Sequence, residues 1–172
     1  MSSLQTARLI LRPFIENDLD ALSALMANQD FMRFSLGIFS REQTADFLEK
    51  VRARDRAGLP SQFAVVLREN GLLIGYCGFF LQIVNDVEEL EIGYRIDPAF
   101  WNRGIATEAA HAVRDHAFTK LDLRRIISLI HPDNAASRRV AEKNGMTLEK
   151  ETVFRGFPTI VFSIDNPTSG SR

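Results

Sequence analysis

The sequence predicts an α+β fold: a mixed, mostly antiparallel central sheet of about six to seven strands, with helices on both faces. Three observations give that class. QFAVVLRENGLLIGYCGFFLQI is two apolar runs joined by Glu69-Asn70-Gly71, an Asn-Gly hairpin signal. LEIGYRI alternates, with Leu90, Ile92, Tyr94 and Ile96 on one face and Glu91, Gly93 and Arg95 on the other, which makes three consecutive antiparallel strands. Two helical segments precede this group, and helix, strand, helix and a strand pair follow it. A dinucleotide oxidoreductase would need parallel βαβ units from the start, so the order argues against one.

In chain order, ARLILRPF alternates through Leu9 and Leu11 and closes at Pro13, a strand. ENDLDALSALMAN puts Leu19, Leu22, Leu25 and Met26 on one stripe, with Asp18 as N-cap. Ser40 and Gln43 have capping-box spacing before Ala45, Phe47, Leu48 and Val51, a second helix that ends near Gly58 and Pro60. A helix from Thr107 to about Lys120 carries Ala109, Ala110, Val113 and Ala117 near one stripe, small enough to lie close on a sheet. RRIISLI is a short continuous apolar run, a strand buried on both faces. In HPDNAASRRVAEKNGM, Asp133 or Asn134 caps a helix and Gly145 stops it. The expected organisation is one domain over residues 1–165, followed by a loose tail, NPTSGSR, over 166–172.

Composition narrows the function classes. With 172 residues, 45% hydrophobic, the chain can bury a core without disulfide or metal, and no apolar run approaches a membrane span. The N-terminal stretch lacks a secretory h-region, so the expectation is a cytoplasmic protein, monomer or homodimer, with no membrane partner. A net charge of −1 without a basic block gives no footprint for nucleic acid. The single cysteine, Cys77, reads as a small core residue within a strand. His111, His116 and His131 have no metal-ligand spacing, so no metal is expected and the three read as surface or helix-edge residues.

The stretch PAFWNRGIATEA joins a strand to a helix through Arg103-Gly104-Ile105-Ala106. A helix N-terminus presents free N–H groups and the positive end of a dipole, and Gly and Ala let a phosphate approach them. The P-loop and GxGxxG patterns are both absent, and alone this turn reads equally as a tight turn with no ligand.

Four blocks in order add specificity: the strand from Thr6 to Arg12, LEIGYRIDPAFWNRGIATEA, NAASRRVAEKNGM and the closing strand pair. Together they resemble the GNAT superfamily of acetyl-CoA-dependent N-acetyltransferases, and within it the ribosomal-protein N-terminal (alanine/serine) acetyltransferases. The resemblance covers almost the whole chain. The superfamily's phosphate turn, Q/R-x-x-G-x-G/A, falls on Trp101 to Ala106; Trp101 replaces the general Q/R, and Asn102 stands where the subfamily often has a second Gly.

The resemblance implies acetyl-CoA as co-substrate and a primary amine as acceptor. It gives the backbone amides of Asn102, Arg103, Gly104, Ile105, Ala106 and Thr107 to the pyrophosphate, with Arg103 adding charge from the side. The backbone from Tyr94 to Ile96 would pair with the pantetheine arm. Asn134 would bind the pantetheine, and Ser137 would stand near the sulfur as proton donor, since this helix lacks the tyrosine many members use. Asn134 reads equally as an N-cap and Ser137 as a first-turn residue.

Glu91 is the candidate base, with a solvated carboxylate or an ion pair with Arg95 as the alternative. The acidic run Asp86, Glu88 and Glu89 either draws a cationic amine or keeps a loop wet. Neutralising a lysine-like amine at pH 7 costs about 4.6 kcal/mol and an α-amine about 1.1 kcal/mol. The chemistry therefore leans to the α-amine of a peptide N-terminus or an amino-acid-like molecule, attacked directly in a ternary complex with no acetyl-enzyme on Cys77. The rival is an acyl-CoA-binding sensor of the same fold without turnover.

Overall fold

In a computed structural model, which describes residues 1–168, one sheet has the order β1-β2-β3-β4-β5-β6-β8-β7. The strands are β1 (Leu4–Gln5), β2 (Leu9–Pro13), β3 (Gln62–Leu67), β4 (Leu73–Val84), β5 (Val87–Ile96), β6 (Arg125–Ile130), β7 (Thr147–Phe154) and β8 (Phe157–Asp165). The eighth strand beyond expectation is β1, whose two residues are too few to show a period. All neighbours are antiparallel except β5 and β6, and β8 inserts between β6 and β7.

Helices α1 (Leu19–Met26) and α2 (Arg41–Arg56) cover one face, burying Leu22, Met26, Leu48 and Val51 against Ala64, Val66 and Tyr76. Helices α3 (Ile105–Thr119) and α4 (Ala135–Lys143) cover the other, where Ala109, Val113 and Ala117 lie against Leu11, Phe63, Ile92 and Phe162. No helix among the described residues is long and apolar enough to cross a membrane.

Several local expectations hold in detail. Ser40 and Gln43 exchange both capping-box hydrogen bonds, at 2.8 and 3.1 Å. Gly145 takes φ +80° beyond α4, as a helix stop requires. Others are corrected. Asp18 precedes α1 but turns its carboxylate back onto Arg12 and the Ile15 N–H, because a buried acid finds a stronger partner in a bidentate guanidinium. In the β3–β4 connection only Gly71 is left-handed; Asn70 instead accepts from Leu72 N–H, and the turn closes through Leu67 and Leu72. Helix α3 begins at Ile105 rather than Thr107, since Gly104 is both the turn and the N-cap and Ile105 packs into the core. His116 is buried beside Phe63 rather than at the surface. Asn166, expected in the tail, is buried and donates to the carbonyls of Phe118 and Leu123, so packing continues past residue 165; residues 169–172 lie outside the described ones.

Two features position the site. β5 and β6 are paired at one position, Glu91 with Ile127, and the ladder stops there. From Ile92 onward the β6-side edge of β5 is open, with Ser128 Oγ donating to Ile92 O in the crotch at 2.9 Å. Beneath that edge β4 bulges at Gly75, where a Cβ would stand 2.0 Å from Arg95 O, so only glycine lets the two strands approach.

Candidate active site

The Trp101-to-Ala106 turn is built by its backbone. Asn102 and Gly104 are both left-handed, at φ +59° and +73°. Asn tolerates that region better than other residues with a Cβ, which is why it can stand where glycine is natural. The left-handed residues and the first-turn amides of α3 together make a concavity of backbone donors, the kind of arrangement that can hold an anion. Trp101 has its own reason: its indole N–H donates to Ile96 O at 2.7 Å and ties the turn to the end of β5. Of the expected backbone partners for a pantetheine, the Ile96 carbonyl is thereby taken.

The N-terminal strand braces this turn. Glu108, in the first turn of α3, accepts from Thr6 Oγ1 at 2.5 Å, Arg8 N at 2.9 Å and Arg8 Nε at 2.7 Å. Partial burial works against its charge, but the Thr6 and Arg8 bonds outweigh it and hold the carboxyl below the usual range. Arg8 Nη1 also donates to Arg103 O at 2.8 Å. Arg103 itself lies over the Phe100 ring, at 5.4 Å, and does not line the cavity.

Two cavities meet at the open edge of β5. One, of about 420 Å³, runs along the turn and is lined by Asn102, Gly104, Ile105, Ala106 and Thr107. The other, of about 630 Å³, holds Glu91 among aromatic and apolar side chains. Arg33, Phe34, Tyr94, Arg95, Asn134 and Ser137 line both, so the two cavities adjoin at these residues, the waist between them.

Comparison with known proteins decides the family. Residues 8–147 match the acetyltransferase (GNAT) domain. The chain belongs to the GNAT acetyltransferase family. It is 33% identical over 147 residues to the uncharacterized N-acetyltransferase YnaD of Bacillus subtilis (strain 168), covering 85% of this chain and 83% of the relative. It is 29% identical over 148 residues to the ribosomal-protein-serine acetyltransferase of Escherichia coli (strain K12), covering 81% and 79%. Among solved structures, a GNAT-family acetyltransferase from Bacillus anthracis superposes with a TM-score of 0.81 at 28% identity, over 96% of this chain and 99% of that one. The protein is an acetyl-CoA-dependent N-acetyltransferase.

Within this acetyltransferase the waist is held by specific bonds. Asn134 caps α4 by accepting from Ser137 N at 3.1 Å, so the capping reading holds; its Nδ2 has no partner among the described residues. Tyr94 Oη donates to Ser137 O at 3.0 Å and ties β5 to α4 across the gap, and burial pushes its phenol well above the ordinary value. Glu91 accepts from Gln82 Nε2 at 2.7 Å and from Leu129 N–H. Burial raises its pKa, while those two bonds and the charges of Arg155 and Arg95 partly offset the rise. The Glu91–Arg95 pair expected as an alternative does not form; Arg95 Nη1 donates instead to Phe31 O and Arg33 O, at 2.9 Å each. The acidic run lies outside both cavities, with Glu89 paired to Arg125 at 3.2 Å. Cys77 is fully buried, and burial pushes its thiol far up.

Sequence reasoning missed the cavity walls. Phe34 has φ +63° and stacks on His131 with ring centroids 5.1 Å apart. Arg155 heads the β7–β8 turn. The available signal for Phe34 was the aromatic-rich stretch DFMRFSLGIF, too long and too apolar to be an idle connection between two helices.

Proposed function

We propose that this acetyltransferase passes the acetyl group directly to an α-amine in a ternary complex. The observation that carries the reading is the pair of adjoining cavities, one along the Gly104 turn and one holding Glu91, with Tyr94, Asn134 and Ser137 in the wall of both. The turn amides from Asn102 to Thr107 take the pyrophosphate, and the open edge of β5 at Tyr94 aligns the pantetheine arm as an added strand. Asn134 offers its Nδ2 to the same arm.

Glu91, made more basic by burial, removes a proton from the ammonium form of the acceptor. The amine nitrogen then attacks the thioester carbonyl, the carbon–sulfur bond breaks, and the leaving sulfur takes a proton from Ser137. Ser137 is reprotonated by the proton the nitrogen loses. Cys77 has no part, because its thiol is fully buried and stays protonated. The acceptor side holds one carboxylate, Glu91, and with one base the α-amine of a peptide is easier to deprotonate than a lysine-like amine.

The test is thiol release from acetyl-CoA across a panel of amino acids, peptides, lysine derivatives and polyamines. Release with α-amines, and loss of that release in Glu91→Gln with cofactor binding retained, supports the reading. Equal release with polyamines overturns the α-amine preference, and binding without release on any acceptor supports the sensor instead.

A further inference from the structure

We propose that the acceptor is a small α-amino acid with an apolar side chain, its amine on Glu91 and its carboxylate on Arg155. This rests on the reading of Glu91 as the amine's partner and adds what holds the rest of the molecule.

The charge balance of the acceptor cavity points the way. Its lining contains one carboxylate, Glu91, and three guanidinium groups, of Arg33, Arg95 and Arg155. A polycationic acceptor would meet net repulsion there. Arg33 is paired with Asp30, and Arg95 is committed to the carbonyls of Phe31 and Arg33. Arg155 differs: exposed in its turn, it bonds a neutral group, Gln82 Oε1, at 3.2 Å, lies over the Phe154 ring at 5.0 Å, and forms no direct ion pair with a described residue, although its charge is felt at Glu91. A guanidinium on the lining of a cavity, with no carboxylate bonded to it, is a receptor for one.

The spacing fits an α-amino acid. Gln82 links the two ends, donating to Glu91 Oε2 at 2.7 Å and accepting from Arg155 at 3.2 Å. Glu91 Oε2 and Arg155 Nη2 are therefore no more than about 8 Å apart, two hydrogen bonds and the width of one amide. An ammonium and an α-carboxylate, with one hydrogen bond at each end, span about the same length. The apolar part of the lining, including Met32, Phe39, Phe80 and Phe157, would take the side chain.

The backbone adds an independent sign. Arg155 and Gly156, at φ +51° and +84°, form the two-residue turn between Phe154 and Phe157. The first position of such a turn favours Asn, Asp or Gly, and an arginine there is held against local preference. The arginine's presence is accounted for if its side chain binds something.

The experiment compares L-leucine, L-leucinamide and the peptide Leu-Gly-Gly, both in thiol release from acetyl-CoA and in thermal shift of the CoA-loaded protein. The amide removes only the carboxylate and has the less basic amine, so deprotonation alone would favour it. The expected result is kcat/KM at least about tenfold higher for L-leucine than for either analogue. Arg155→Gln should raise the KM for L-leucine at least about tenfold with a smaller change in kcat and bring the acid-to-amide ratio near one, and Arg155→Lys should recover most of the preference. Equal or better use of the amide or the peptide overturns the proposal, as does an unchanged KM for L-leucine in Arg155→Gln. Turnover confined to peptides removes the amino-acid site but leaves acetyl transfer to an α-amine standing. A thermal shift with L-leucine and not with L-leucinamide, without release on any acceptor, keeps the amino-acid site and overturns the transfer reading.

Discussion

The two ends of the site are made from different materials. The end proposed for the cofactor is backbone: left-handed Asn102 and Gly104, the first amides of α3, and the open edge of β5. The acceptor end is side chain: Glu91 on β5, Gln82 on β4, Phe34 before α2 and Arg155 in the β7–β8 turn. Backbone sites recognise what every acetyl-CoA shares, and few substitutions remove an amide. Side-chain sites can be changed one residue at a time. The same scaffold can thus keep one substrate fixed while the other varies.

Four substitutions test that division, in falling order of effect. Glu91→Gln should lower kcat/KM by roughly 10² to 10³-fold while the thermal shift with acetyl-CoA stays intact. Because burial raises the Glu91 pKa, wild-type kcat/KM should climb with pH through a value above the ordinary carboxylate range, and Glu91→Gln should lose that limb. Stability carries the opposite sign. A carboxyl whose pKa is raised by folding contributes fully below its unfolded pKa, and the contribution fades as pH rises through the folded value. Gly104→Val should raise the KM for acetyl-CoA by roughly 10 to 100-fold, since a branched side chain disfavours φ +73° and the amides shift; an equal loss at the acceptor would dissolve the distinction. Asn134→Ala sits at the waist: loss of the cap should cost about 1 kcal/mol, or roughly 2–4 °C in Tm, and both KM values should rise together. Cys77→Ala should leave turnover within about twofold, and mass spectrometry of the wild type with acetyl-CoA should find no acetylated Cys77.

The same contrast explains how much could be read in advance. The strands, three of the four helix starts and the Gly104 turn depend on local patterns, such as the alternation in LEIGYRI and the glycine at 104, and a linear sequence carries those. The β5–β6 split, the shared lining and the Tyr94 bond to Ser137 depend on which elements meet, and no period encodes them. Tyr94 was legible as an inward residue of a strand; that its hydroxyl bridges 43 residues to α4 was not. Arg155 was harder still, because a lone arginine between two strands looks like solvent decoration until the facing cavity shows one carboxylate against three guanidinium groups. The start of α3 was misplaced for a local reason, since Gly104 serves as turn and cap together.

The bonds from Thr6 and Arg8 to Glu108 have a consequence for how the protein is made. They join positions 102 and 100 residues apart, so a nascent chain halted before residue 108 can pair its N-terminal strand with β3 but lacks the carboxylate that Thr6 and Arg8 bond. A chain trimmed at its start past Arg8 leaves a bare carboxylate next to the amides assigned to an anion. If those amides hold the nucleotide, Thr6 and Arg8 tune its affinity from a hundred residues away, and a library that randomises only the turn will overlook them.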